Sequence, residues 1–429
     1  MTETTTTRVG HLRWVICALI FLATTVNYID RQILSLIKEI LDKELGWSNE
    51  QFGLVNSAFQ GAYAVGLFVF GWFIDRYGTK IGYAASIALW SVAAMSHALV
   101  ASVGGFFSAR IFLGVSEGGN FPAAIKAVAL WFPKRERALA TAIFNSGTNV
   151  GAIVAPALVP AIAFAWGWRA AFVIAGIMGF LWLLLWLPYY EVPEKRKGLS
   201  TAELDFINSD KDDSGVAGAP IGWRRALSYR QTWAFIVAKF MTDPVWWFFL
   251  IWLPDYFKKT RGLDIKHSWV HLVTIYVIVT ILSIAGGWLT GRLQNMGWSV
   301  TRARKSGMFL FALCVIPIVW VTQVGDWPAV LLIGLAGSAH QAWSANLFTT
   351  ASDTFPKKDV GTLVGLGGMA GSIGGILFPW FSGWILDQYG ANATGGYAVL
   401  FAVCASAYLL AFGIHHMLAP KLEPVVLDR

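Results

Sequence analysis

Twelve apolar runs of about 19 to 27 residues recur along the chain, each long enough as a helix to cross a hydrocarbon core about 30 Å thick. They cover 14–37, 52–74, 81–103, 105–131, 138–162, 169–190, 231–257, 268–292, 306–324, 328–350, 362–386 and 396–418. In lipid a spanning segment must satisfy its own backbone, so these runs predict an all-α membrane protein. One long polar stretch divides them six and six. The expected organisation is a six-helix bundle over 1–190, a linker over 191–230 and a second six-helix bundle over 231–429. The first run ends in polar residues and lacks a small-residue cleavage site, which predicts a retained helix and not a removed leader.

Composition agrees: 56% of the 429 residues are hydrophobic and 14% are charged, against about 25% charged in soluble domains. The basic residues cluster in "DRYGTK", "PKRER", "EKRK", "TRARK" and "PKK", on loops of one parity. That asymmetry predicts both termini in the cytoplasm. It also explains the net charge of +8 without a nucleic-acid partner. Cys17, Cys314 and Cys404 fall inside apolar runs without the spacing of a disulfide framework or zinc site, and are expected to be packing residues.

The two halves echo each other. "FPKRERALATAIFNSGTNVGAIVAP" from Phe132 aligns without a gap on "FPKKDVGTLVGLGGMAGSIGGILFP" from Phe355, an offset of 223 residues that matches Gly151 with Gly374. "GWFIDRYG" at Gly71 is echoed by "GWILDQYG" at Gly383 and more loosely by "GWLTGRLQ" at Gly287. Duplicated bundles of this kind are a common plan of transporters.

No G-x-x-x-x-G-K-[ST] phosphate loop occurs, so ATP-driven pumping finds no support. "GLGGMA" at Gly365 matches a dinucleotide fingerprint only formally, inside an apolar run with no preceding strand. The chain is expected to be neither an enzyme nor a holder of a cofactor or metal. What remains is facilitated diffusion or coupling to an ion gradient, with a proton or sodium as the ion.

Four charges lie deep in the first half. Asp30 and Arg31 sit side by side in the first run, and "ARIFLGVSEGG" in the fourth places Arg110 and Glu117 two turns apart on one face. A charge at the bilayer centre costs at least about 2.5–3.5 kcal/mol on insertion scales, so such residues mark function by default. Burial favours the neutral acid and a nearby arginine favours the carboxylate, so Asp30 and Glu117 can serve as proton carriers. The planar fork of Arg31 suits an anionic substrate.

The motif "GWFIDRYGTK", with Gly71, Asp75, Arg76 and Lys80, resembles the loop between helices 2 and 3 of the major facilitator superfamily, and this resemblance covers almost the whole chain. It implies a gating role for those four residues. "NYIDR" and "RIFLGVSEGGNFPAAIKAVALWFPKRERA" resemble the anion:cation symporters, and "KFMTDPVWWFFLIWLP" with "GSAHQAWSANLFTTASD" resembles the bacterial hexuronate transporters among them. The resemblance implies import of a sugar-acid anion with a proton by a monomer. It places Arg31 on the substrate carboxylate, has Asp30 and Glu117 protonated in turn, and pairs Arg110 with those acids when they are ionised.

A substrate rich in hydroxyls also needs neutral polar partners. Tyr28 lies one turn before Arg31; Asn56, Gln60 and Tyr63 follow at i, i+4 and i+7; Asn145, Thr148 and Asn149 share a face. His340, Trp343 and Asn346 in the tenth run complete the expected binding set, and the 223-residue offset pairs His340 with Glu117. For His340 a bond to a neighbouring helix is the equal alternative. Lys239 and Asp243, at i and i+4, suggest an internal pair beside Pro244, or a second anion contact. An aldonate or other organic-anion symporter, and a multidrug:proton antiporter of the same fold, are the rival readings. The antiporter would leave buried Arg31 without a task.

Overall fold

In the computed structural model the described residues are 10–209, 223–355, 360–423 and 425. They form sixteen α-helices. In the first half these are α1 (Leu12–Leu36), α2 (Lys38–Leu45), α3 (Asn49–Tyr77), α4 (Thr79–Ser96), α5 (Val103–Glu117), α6 (Asn120–Trp131), α7 (Lys134–Trp166) and α8 (Trp168–Tyr189). Then come α9 (Thr201–Asn208), α10 (Trp223–Ala226), α11 (Arg230–Arg261), α12 (Ile265–Asn295), α13 (Val300–Val315), α14 (Asp326–Thr354), α15 (Val360–Tyr389) and α16 (Ala393–Leu418).

Among the described residues, nine helical segments are long and apolar enough to cross a membrane. The other three expected crossings fall on α4, on α5 with α6, and on α14. The expected run 105–131 is not one helix: it stops at Glu117 and restarts at Asn120, with Gly118 and Gly119 between. In α14 the apolar character is diluted by His340, Gln341, Asn346 and Asp353. The expected linker carries two short helices, α9 and α10, and the Ser200 hydroxyl accepts from the Glu203 N–H at 3.2 Å as the N-cap of α9.

Packing divides the chain into two units. The first comprises Met1–Ile33, Ala62–Ala155 and Ile162–Gly218, the second Leu34–Gly61, Pro156–Ala161 and Ala219–Arg429. In the first, α4 packs on α8 through a buried ladder in which Trp182, Trp186 and Tyr190 stack ring on ring, Tyr83 meets both tryptophans edge-on, and the Trp182 indole donates to the Leu19 carbonyl at 2.7 Å. In the second, α11 lies against α15 and α16, and α12 against α14.

The sequence repeat appears as one packing device used twice. A Cβ on Gly151 of α7 would lie 2.7 Å from the Tyr28 Cβ and 2.8 Å from the Thr25 carbonyl oxygen of α1. A Cβ on Gly374 of α15 would lie 2.5 Å from Pro244 Cγ and 2.6 Å from the Phe240 carbonyl oxygen of α11. Each glycine lets two backbones meet where no side chain fits. Gly151→Val and Gly374→Val are therefore each expected to destabilise their unit by about 1–3 kcal/mol through overpacking. Gly413→Ala, where nothing lies within 4 Å of the added Cβ, is expected to be neutral. Thermal unfolding of the detergent-solubilised protein checks all three.

Candidate functional site

The deep charges of the first unit meet. Arg31 Nε donates to Glu117 Oε2 at 2.7 Å, and the two side chains are 6% and 0% exposed. Sequence order alone would pair Glu117 with Arg110 on its own helix. Instead an Arg110 Nη2–H reaches across to the Arg31 carbonyl oxygen at 3.2 Å and ties α5 to α1. Asp30 is 1% exposed, and neither of its carboxyl oxygens has a hydrogen-bond partner among the described residues.

Local folding sets this geometry. Arg31 lies near the end of α1, where its guanidinium sits over the ring of Tyr28, one turn earlier, at 5.0 Å and over Tyr63 of α3 at 4.4 Å. Two aromatic faces supply cation–π attraction where water is excluded. Glu117 is the last residue of α5, and the Gly118–Gly119 break places it at a helix end. Gly118 is required there, since a Cβ would lie 2.3 Å from the Gly66 carbonyl carbon of α3.

Other expected binding residues are less concentrated. Thr148 is buried and gives its hydroxyl to the Asn145 carbonyl at 2.8 Å, while the Asn145 side chain is exposed and Asn149 is half-buried. Gln60 and Asn56 belong to the second unit; Asn56 is spent on the Phe52 carbonyl at 3.0 Å. Gln60 is buried beside Gly375, which Trp247 also borders.

In the second unit His340 shares a 2.6 Å hydrogen bond through Nδ1 with the Tyr408 hydroxyl of α16 and stacks on Trp246 at 5.6 Å with 6° between the planes. The interhelical bond weighed for His340 from sequence is thus present. Trp343 is fully buried with its ring edge-on to Tyr408. Asn346 is tied down on both sides: its amide donates to the Ala342 carbonyl at 2.9 Å, and its Oδ1 accepts from Arg304 at 3.4 Å. Lys239 and Asp243 form the expected i, i+4 pair at 2.7 Å, with Lys239 over Phe348 at 4.4 Å, inside a helix that continues through Pro244.

Of the expected gating residues, Gly71 has open space around it and Arg76 is exposed. The Asp75 side chain lies outside the described residues. Lys80 pairs with Glu191 at 3.0 Å, and that ammonium holds the Glu191 carboxyl below the usual range. Lys126, which sequence reasoning left without a role, donates to the Ile74 carbonyl at 3.2 Å near the end of α3, where a cation complements the helix dipole.

A second buried charge cluster, in the second unit, was not anticipated. Lys38, 2% exposed, contacts Asp42 at 2.7 Å, Asp255 at 2.9 Å and Asn49 Oδ1 at 3.2 Å. Asp255 also receives the Tyr397 hydroxyl at 2.6 Å and Lys259 at 3.2 Å, while Lys258 pairs with Glu39 at 2.9 Å. Burial alone would depress the Lys38 ammonium; Asp255 and Asp42 outweigh it and raise it. A cavity of about 220 Å³ borders these groups. Asp387, from the echo "GWILDQYG", caps the start of α3 by accepting from the N–H groups of Asn49 at 3.1 Å and Glu50 at 2.7 Å. The available sequence signals were the i, i+4 pairs Lys38/Asp42 and Asp255/Lys259, which sit just past or at the ends of apolar runs.

The family profile described as Major Facilitator Superfamily matches residues 20–379. A hexuronate transporter of Escherichia coli (strain K12) is 33% identical over 407 residues, 94% of this chain and 93% of that protein. A galacturonate transporter of Dickeya chrysanthemi is 31% identical over 291 residues, 67% of this chain and 84% of that one. Among solved structures, a bacterial homologue of the human lysosomal transporter Spinster superposes with a TM-score of 0.76 at 17% identity, covering 96% of this chain and 98% of that one. At that identity the likeness speaks for the fold alone.

The Lys38 cluster generates a direct expectation. Lys38→Ala removes the ammonium shared by Asp42 and Asp255, leaves Asp255 with Lys259 and Tyr397, and is expected to cost about 1–3 kcal/mol. Adding Asp255→Ala is expected to cost less than the sum of the single changes, with a coupling of about 1–3 kcal/mol in a double-mutant cycle read by chemical or thermal unfolding.

Proposed function

The chain belongs to the major facilitator superfamily, and on that premise we propose that it imports a sugar-acid anion, a hexuronate such as glucuronate or galacturonate, by proton symport with alternating access. The observation that carries this reading is the buried 2.7 Å pair between Arg31 and Glu117. A guanidinium in a dry site needs an anion at all times, because removing one partner of a buried pair costs about 3–5 kcal/mol. A substrate carboxylate can replace Glu117 at Arg31 only if Glu117 gives up its charge. A proton arriving on Glu117 does this, so one anion and one proton enter together and the charge at Arg31 stays balanced.

Asp30 is the second proton site. It is buried beside the pair, and its oxygens engage no described donor. Arg110 interacts with both acids and with Arg31, so it senses their protonation. Tyr28 and Tyr63, already packed on Arg31, offer rings and hydroxyls to a sugar. Gln60, Asn145, Thr148, Asn149, His340 and Trp343 are the further candidates for its hydroxyls and ring face. Asn346, bonded to Arg304 and its own helix, is a further candidate whose amide is already oriented. Gly71, Asp75, Arg76 and Lys80 are assigned to gating. Higher cytoplasmic pH then strips the proton, Glu117 reclaims Arg31, and the substrate leaves.

The substrate class is supported by relatives named as hexuronate and galacturonate transporters. A D-galactonate transporter of Escherichia coli O6:H1, 26% identical over 418 residues, makes an aldonate the second reading. The setting proposed is a bacterial inner membrane with both termini cytoplasmic and a monomer as the working unit.

Labelled glucuronate and galacturonate uptake into sodium-free proteoliposomes, with and without an inward proton gradient, tests the proposal. Uphill uptake that needs the gradient is expected; equal uptake without it would refute symport. Arg31→Ala is expected to lower substrate affinity at least 100-fold, as loss of a buried charge-assisted contact implies. Glu117→Gln is expected to keep binding and exchange within about threefold while gradient-driven accumulation falls to background.

A further inference from the structure

One buried polar side chain beside the Arg31–Glu117 pair has no task in this exchange. Asn27 lies on α1 one turn before Asp30 and Arg31 and is 0% exposed. Among the described residues neither its Nδ2 nor its Oδ1 has a hydrogen-bond partner. Asn27 and Arg31, at i and i+4, share one face of α1, and Arg31 holds Glu117 at 2.7 Å, so the Asn27 side chain lies on the side of α1 that meets this carboxyl. Glu117 meanwhile uses Oε2 for Arg31 and leaves Oε1 unpartnered. Two unmet buried groups on that side of α1, at a coupling site, call for an explanation.

The chemistry of the amide provides one. A carboxamide carries donors and an acceptor on one flat group, so it can turn N–H toward a carboxylate or C=O toward a carboxylic acid. The charged neighbours cannot do both: Arg31 and Arg110 only donate, and an ionised Asp30 only accepts. Tyr28 and Tyr63 lie over the Arg31 guanidinium. We propose that Asn27 is the positioning residue of the proton site, its amide taking Glu117 Oε1 in either protonation state. On release, the Glu117 O–H bond breaks, the proton passes to water, and the new carboxylate accepts from Arg31 Nε–H and Asn27 Nδ2–H. On loading, the Glu117 O–H donates to Asn27 Oδ1 while Arg31 turns to the substrate.

This inference rests on the proton-symport reading, so the wild-type protein is measured first. The variants are Asn27→Thr and Asn27→Val, which share a shape and differ in whether they can hydrogen-bond. In Asn27→Val, exchange of labelled for unlabelled substrate at equal pH on both sides is expected to stay within about twofold of wild type. Gradient-driven accumulation is expected to fall about tenfold, and the pH of half-maximal uptake to rise by about one unit, because losing the donor penalises the anion more than the acid. Asn27→Thr is expected to restore both to within about twofold. An unchanged pH profile in Asn27→Val overturns the proposal, as does a Thr variant as defective as Val, or an exchange rate that falls in parallel with accumulation. Wild-type uptake that ignores the proton gradient removes the symport reading itself, before any variant is compared.

Discussion

Two opposite charges held 2.7 Å apart and buried set the terms for the first unit. Neither Arg31 nor Glu117 can be buried alone without a penalty of several kcal/mol. The surroundings are arranged to keep them together. Tyrosine rings cover the guanidinium, the end of α5 delivers the carboxyl, and Arg110 binds the backbone of the residue it would otherwise compete with. The same requirement makes the pair exchangeable. What Arg31 needs is a negative charge, and a sugar acid brings one.

The scaffold around such an exchange has to be stiff where helices meet. Gly151 and Gly374 do this at matched places in the two repeats by bringing backbones into contact. The second unit carries its own ionic weight in the Lys38–Asp42–Asp255–Lys259 cluster, and Asp387 adds a helix cap. These groups are tied into hydrogen-bonded sets that would be costly to leave half-made. That separates them from Asp30 and Asn27, whose polar atoms stay unmet among the described residues.

Much of this was legible in the sequence, for physical reasons. Long apolar runs have one solution in a bilayer, so the helical class followed from hydropathy. The buried acids and arginines announced themselves by their cost. Hydropathy could not see the break after Glu117, because two glycines do not interrupt an apolar run while they do interrupt a helix. Nor could spacing choose the partner of Glu117: Arg110 shares its helix face, but the 2.7 Å contact comes from Arg31 of α1. The bond from Arg304 to Asn346 joins residues 42 positions apart, which spacing along one helix cannot reveal. The Lys38 cluster was hidden because its partners come from distant segments, and charges at helix ends read as ordinary solvated ones. Asn27 opens the motif "NYIDR" without standing out, since an amide has no charge to mark the cost of its burial.

The exchange at Arg31 is tested most directly by counting protons when substrate binds to the purified protein in weakly buffered detergent solution. If galacturonate displaces Glu117 from Arg31, binding draws in about one proton per anion, or more when Asp30 takes part, and Glu117→Gln binds with about one proton fewer. Galacturonate that binds to the wild-type protein with no proton uptake at any pH from 5 to about 8 would contradict the account. Arg31 would then be holding substrate without releasing its internal partner.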